Sequence, residues 1–268
     1  MRSTKVSATI LSQPVVATGR GGSGTRLLSM LLQEHGVFLG NRLNGSEDSI
    51  EWIGVQYESA ARKLTDGAPE RGCWNEALSG CAEKILQRGQ WKEGQLWGWK
   101  LPETMLILPE VVQAFPNARI VHLVRHPVDT CLRSTHVTSR TDIPVGAATL
   151  HAAYSRLGWR RDPGDDDDYI RNSASWVFQV QGAIQFGREL GSSRYLEIRF
   201  EDLCADAQAV SDAIARFLDI PETESAVGGI IDNTRRRYWA EGDKRALEVW
   251  SICGEIGKTL GYDLKWTG

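Results

Sequence analysis

Residues 19–26 read Gly-Arg-Gly-Gly-Ser-Gly-Thr-Arg, which sets four glycines, two hydroxyls and two arginines in one short stretch. Glycines let several backbone N–H groups converge on one anion, and a helix that starts at the end of the stretch adds its partial positive charge. Ser23 and Thr25 can donate hydroxyls to the same oxygens. Gly19 and Gly24 have the spacing of the nucleoside-triphosphate loop G-x-x-x-x-G-K-[ST], but Thr25-Arg26 stands where that loop has Lys-[Ser/Thr]. The lysine that reaches the β/γ-phosphates and the hydroxyl that meets Mg²⁺ are both displaced. The stretch suits a single phosphate group better than a magnesium triphosphate.

A second basic stretch runs Arg125-His-Pro-Val-Asp-Thr-Cys-Leu-Arg133-Ser134. A guanidinium fork with a hydroxyl nearby suits a phosphate monoester. A surface salt bridge is the plainer reading of any one of these arginines. Taken together, the two stretches point to a nucleotide with two separate phosphates. Lys100 closes the run Leu-Trp-Gly-Trp-Lys between them. Alone it would be a strand-end lysine with its stem buried and its head in water.

These side chains need elements to hold them. Residues 14–18 read as a buried strand, and Leu27, Leu28, Leu31 and Leu32 give helical spacing over residues 25–33. A glycine-rich turn therefore joins a strand to a helix. Residues 47–64 and 75–88 read as helices, 96–100 as a strand and 106–115 as a helix. Residues 119–124 are apolar, β-branched and bounded by Pro116-Asn117 and His126-Pro127, the clearest strand in the chain. Pro127 suits the first turn of a helix reaching about Thr138, and 139–146 read as loop. A helix is expected over about 169–190, a strand over 195–200, a helix over 206–219 and a last helix over about 245–260. Strands alternating with helices predict an α/β fold: one domain over residues 1–268, with a mainly parallel central sheet flanked by helices. Ligands in such folds bind at the carboxyl ends of the strands, where both basic stretches fall.

The chain has 268 residues and a formal net charge of −3. That argues against a general nucleic-acid binder. No run approaches the ~20 apolar residues of a membrane helix, so no membrane insertion is expected. Five scattered cysteines have neither zinc spacing nor a paired motif and read as free thiols in a reducing cytoplasm. Residues 165–168 are four adjacent aspartates, read as a solvated loop rather than a cation site. Of the ten tryptophans, Trp52, Trp74, Trp97 and Trp99 flank the expected acceptor side. Packing is their plainer reading, and stacking on a sugar or flat ring the alternative. Nothing in the sequence sets an oligomeric state.

Five segments, in order, resemble the sulfotransferases that use 3′-phosphoadenosine-5′-phosphosulfate (PAPS). GRGGSGTRLLSMLL is similar to the family's 5′-phosphosulfate loop, and LWGWKLPETMLILP to its lysine-bearing segment. ARIVHLVRHPVDTCLRS is similar to its 3′-phosphate motif, and RYLEIRFEDLCADAQAVSDAIARFLDIP to the strand, turn and helix of the nucleotide half. RRRYWAEGDKRALEVWSICGEIGKTLGYD resembles the basic cofactor loop and closing helix of bacterial members.

The resemblance implies a P-loop-like sulfotransferase fold and transfer of a sulfuryl group from PAPS to a hydroxyl or amine of a carbohydrate, lipid or small molecule. Adenosine 3′,5′-bisphosphate would be left as product, with no metal required. Ser23, Gly24 and Thr25 match the family's 5′-phosphate contacts, with Arg20 and Gly21 in the same loop. Gly22 stands where many members carry Lys or Arg, and Arg26 or Arg20 is left to substitute. Arg125 matches the 3′-phosphate arginine. The family's partner serine falls at Arg133, with Ser134 beside it. Arg235, Arg236 and Arg237 resemble the loop that closes over the nucleotide. Lys100 matches the lysine that stabilises charge on the departing phosphate oxygen. A hydroxyl acceptor needs a general base. Some members place a histidine two residues after the lysine, where this chain has Pro102. Glu103 is the nearest carboxylate, Glu47 and Asp48 are rivals, and His136 is a weaker one. Two other readings stay open at this point: a P-loop small-molecule kinase, and a nucleotide-binding module without catalysis.

Overall fold

Val15–Thr18 are all buried and form strand β1, with Val16 facing one layer of the core and Val15 and Ala17 the other. The computed structural model describes residues 11–67, 73–88, 90–231, 239–240 and 242–264. Strands β2 (Gly98–Lys100), β3 (Arg119–Val124) and β4 (Tyr195–Arg199) complete a four-stranded sheet of order β2-β1-β3-β4, parallel throughout. Val16 pairs with Trp99 on one side and Ile120 on the other, so the carboxyl ends of β1, β2 and β3 open at one edge.

Parallel strands need crossovers, and helices supply them. Helix α1 (Thr25–Glu34) follows β1, then α2 (Ile53–Asp66) and α3 (Cys73–Gln87) lead to β2. Helix α4 (Leu108–Ala114) links β2 to β3. Helices α5 (Pro127–Cys131), α6 (Pro144–Arg156) and α7 (Asp168–Leu190) lie between β3 and β4. Helices α8 (Phe200–Ala205), α9 (Ala207–Leu218) and α10 (Lys244–Thr259) follow β4. One face of the sheet packs Leu28, Leu31 and Leu32 of α1 with Ile214 of α9. The other packs Trp52, Trp99, Phe115 and Trp176.

Several expected elements differ. The helix expected over 47–64 begins only at a 3₁₀ turn, Ile50–Trp52. Asn44 takes the amides of Ser46 and Asp48 on its side chain, and Glu47 sits at φ 60°, so residues 44–49 form a tight turn. The helix after Pro127 stops at Cys131 instead of reaching Thr138. The following Arg-Ser-Thr-His-Val-Thr run is rich in hydroxyl and β-branched residues that favour turns, and it bends back to the glycine loop. Helix α6 covers the end of the expected 139–146 loop and runs on to Arg156. Its Pro-Val-Gly-Ala-Ala-Thr-Leu run is buried on several sides and so carries no amphipathic period. The expected helix over 206–219 is α9, and the short helix α8 precedes it directly after β4.

Trp52, Trp97 and Trp99 are packing. Trp52 and Trp99 stack at 4.1 Å, Trp97 lies 6.3 Å from Trp99, and all three are fully buried. Trp74 is buried as well. The acidic loop is tied down rather than simply solvated. Asp166 accepts from Tyr154 and Arg161, each at 2.7 Å, and Asp168 accepts from Arg171 and Thr135.

Candidate active site

The end of β1 is tied to the segment after β2. Thr18 Oγ1 donates to the carbonyls of Leu101 and Pro102, each at 3.1 Å. The chain then turns through the glycines into α1. Gly24 sits at φ +89°, and a Cβ there would lie 2.4 Å from the Phe200 ring, so only glycine fits the turn. Ser23 Oγ is buried and has no hydrogen-bond partner among the described residues. Thr25 is buried beside it, and Arg26 is exposed on the first turn of α1.

Arg20 takes a different place from the one expected. Its guanidinium is buried and donates to Gly21 O at 2.7 Å, Ser139 Oγ at 2.6 Å and Asn172 Oδ1 at 2.8 Å. It braces the loop from behind, against the 3₁₀ turn Val137–Ser139 and α7.

Arg125 leaves the carboxyl end of β3 buried, with its guanidinium 4.2 Å from the Phe200 ring centroid. Its Nη1 points to Gly22 O at 3.5 Å, and Arg133 Nη1 donates to the same oxygen at 3.3 Å. The two basic stretches, far apart in sequence, thus meet on one carbonyl of the glycine loop. Two guanidiniums beside a helix N-terminus make a cationic cup. Ser134 is exposed at its side. Arg235, Arg236 and Arg237 lie outside the described residues.

Lys100 and Glu103 sit at the neighbouring strand end, both buried. Lys100 Nζ donates to Asp48 Oδ1 at 2.5 Å and to Ser46 O at 2.9 Å. Burial pulls the Lys100 ammonium down from its ordinary value, while Asp48 holds it up. Asp48 is therefore this lysine's counter-ion. Ser49 sews its turn to the strand by accepting from the Lys100 amide at 2.9 Å and donating to Leu39 O at 2.6 Å. Glu47 turns away and takes Gln33 Nε2 at 3.0 Å.

Burial raises the Glu103 carboxyl to about 7, with Asp48 adding to the shift and Lys100 opposing it. His136 Nε2 lies 3.2 Å from Glu103 Oε1. Burial, with Arg20 and Lys100 nearby, keeps this imidazole neutral. Tyr57, half-buried on α2, stands beside the Glu103 carboxylate, and burial and that charge push its phenol up. No local spacing signals Tyr57, because α2 and the turn after β2 meet only in the fold. A near-neutral carboxyl, a buried ammonium and a two-arginine cup at one sheet edge can hold a dianionic nucleotide and take a proton beside it.

The chain matches the model of the sulfotransferase family over residues 14–224. Human sulfotransferase 2B1 is 24% identical over 165 residues, covering 55% of this chain and 40% of that protein. The chain thus spans less than half the length of that curated relative. The sulfotransferase domain of the curacin biosynthetic pathway shares the fold at a TM-score of 0.52 and 16% identity, over 94% of this chain and 99% of that one. That of the Synechococcus PCC 7002 olefin synthase does so at 0.51 and 19%, over 99% and 100%. An Alicyclobacillus acidocaldarius sulfotransferase does so at 0.52 and 16%, over 93% and 96%. Among the described residues no helix is long and apolar enough to cross a membrane. With its glycine loop, arginine cup and strand-end lysine all inside the matched span, this chain belongs to the sulfotransferase family.

Proposed function

We propose that the chain moves a sulfuryl group from PAPS to an acceptor hydroxyl. The observation that carries this reading is the meeting of Arg125 and Arg133 on Gly22 O, which puts two anion-binding stretches around one loop. The residues fit a nucleotide with two separated phosphates. Ser23 Oγ is buried and unpaired among the described residues, at the amino end of α1. The arginine pair offers a second charged surface beside it.

Bound there, PAPS supplies an activated sulfuryl group. The residues of the chain do the rest. The loop amides, Ser23 and Thr25 hold the 5′-phosphate, and Arg125 and Arg133 hold the 3′-phosphate, with Ser134 at the rim. Lys100 stabilises the charge that grows on the departing phosphate oxygen. Glu103 takes the acceptor's hydroxyl proton. The buried tryptophans give no argument for a sugar, so the acceptor is defined only as a hydroxyl that reaches Glu103. Thiols at Cys81, Cys131 and Cys253 that form no disulfide among the described residues support a cytoplasmic location.

Calorimetric titration with adenosine 3′,5′-bisphosphate, AMP and ATP–Mg²⁺ tests the reading. Preference for the bisphosphate is expected. Preference for ATP–Mg²⁺ would favour a kinase, and no binding would overturn the nucleotide site. Tight bisphosphate binding without turnover across hydroxyl acceptors would favour a non-catalytic module.

A further inference from the structure

We infer that His136 is a positioning residue that holds Glu103 ready for the acceptor through an Nε2–H hydrogen bond, which rests on the reading of Glu103 as base. The Thr138 amide donates to His136 Nδ1 at 3.4 Å, with Thr138 Oγ1 3.1 Å away. An Nδ1 that accepts leaves the single imidazole proton on Nε2, and Nε2 faces Glu103 Oε1 at 3.2 Å. The ring's only lone pair is then turned to Thr138. His136 is thereby removed from the rival bases and given a different task.

The ring also touches the donor side. A Cβ added to Gly21 would lie 1.8 Å from it, so the imidazole lies directly on the backbone of the phosphate loop. Arg20 braces the same loop through Ser139, at the end of the turn that His136 caps. One side chain thus spans from the nucleotide loop to the carboxylate, and it fixes which Glu103 oxygen is engaged. In the transfer, the acceptor O–H proton passes to Glu103. The acceptor oxygen forms the new S–O bond. The bond from sulfur to the bridging oxygen breaks, and its electron pair leaves with the phosphate.

Glu103 is faced by His136, Lys100, Asp48 and Tyr57, and Arg20 also acts on it from behind the loop. Of these, His136 can be changed without removing a charge. His136→Phe keeps a ring over the carboxylate and deletes the donor, whereas His136→Gln keeps a donor at similar reach. Infrared pH titration of the Glu103 carboxyl, isolated as wild type minus Glu103→Gln, reads the effect without turnover. A lost hydrogen bond to a carboxylate raises its midpoint, by about one pH unit in His136→Phe. His136→Gln should return it to near the wild-type value. The acidic limb of kcat/KM should move with the midpoint.

A midpoint unmoved or lowered in His136→Phe would overturn the proposal. If that variant does not fold, a wild-type midpoint in His136→Gln supports the proposal, and one raised by a full unit overturns it. If the midpoints move as expected while wild type transfers no sulfuryl group, the His136–Glu103 link stands and the donor assignment falls.

Discussion

Lys100 is a buried cation with a hydrogen-bond donor to spare. An ammonium has three N–H donors, and described residues take two of them, through Asp48 Oδ1 and Ser46 O. A third is left for a developing negative charge. Lys100→Ala should lower kcat by ~10²–10³-fold with a much smaller change in donor KM, since the lost contact matters most in the transition state. Steady-state kinetics with PAPS would check it, and unchanged kcat would remove Lys100 from the chemistry. Arg125→Ala should weaken adenosine 3′,5′-bisphosphate by ~10–100-fold, the range for losing a charged hydrogen bond. AMP, which lacks the 3′-phosphate, should change little. Equal weakening of both ligands, read by calorimetry, would refute the 3′-phosphate assignment.

At the scale of elements, the strand–turn–helix unit from β1 to α1 is the firmest part of the site. Gly24→Ala forces a Cβ toward the Phe200 ring at a left-handed backbone position. Backbone strain of this kind costs ~1–3 kcal/mol. Bisphosphate affinity should fall by ~10-fold or more, and affinity equal to wild type would show that the turn is not the binding element. This unit was legible because its residues are contiguous: glycines, hydroxyls and the helix start lie in one stretch. Residues 119–124 were legible too, since their apolar, β-branched run has sharp boundaries. Residues 132–136 were not, because Pro127 announces a helix and nothing local says that Arg133 must turn back to Gly22. Helix α6 lacked a periodic signal for the same physical reason that it is stable, burial on several sides. Arg20 looked like a ligand from its place in the loop, and its partners Ser139 and Asn172 come from elements distant in sequence. Glu103 is legible as the carboxylate nearest Lys100, but its pairing with His136 is a tertiary fact.

The whole molecule gathers buried ionisable groups around one sheet, and its stability must respond to pH through them. Burial raises the Glu103 carboxyl from 4.5 to about 7. Between those values the unfolded chain has already lost this proton while the native chain keeps it. Glu103 thus contributes stability that is full below 4.5 and is lost as pH rises through about 7. His122, buried in β3 with Nδ1 2.6 Å from the Tyr195 hydroxyl, is lowered by burial from 6.5 to about 3. Its contribution runs the other way: present above 6.5 and lost as pH falls toward 3. From pH 4.5 to 6.5 the two slopes oppose each other in the wild-type protein. Glu103→Gln removes one of them. The stability of that variant relative to wild type should then climb by ~1.4 kcal/mol per pH unit across the window in which Glu103 titrates. Urea unfolding of both proteins at a series of pH values measures the difference directly. Parallel curves would mean that Glu103 binds its proton equally in the folded and unfolded chains. A carboxyl of that kind would be fully ionised at neutral pH and too weak a base for the part assigned to it.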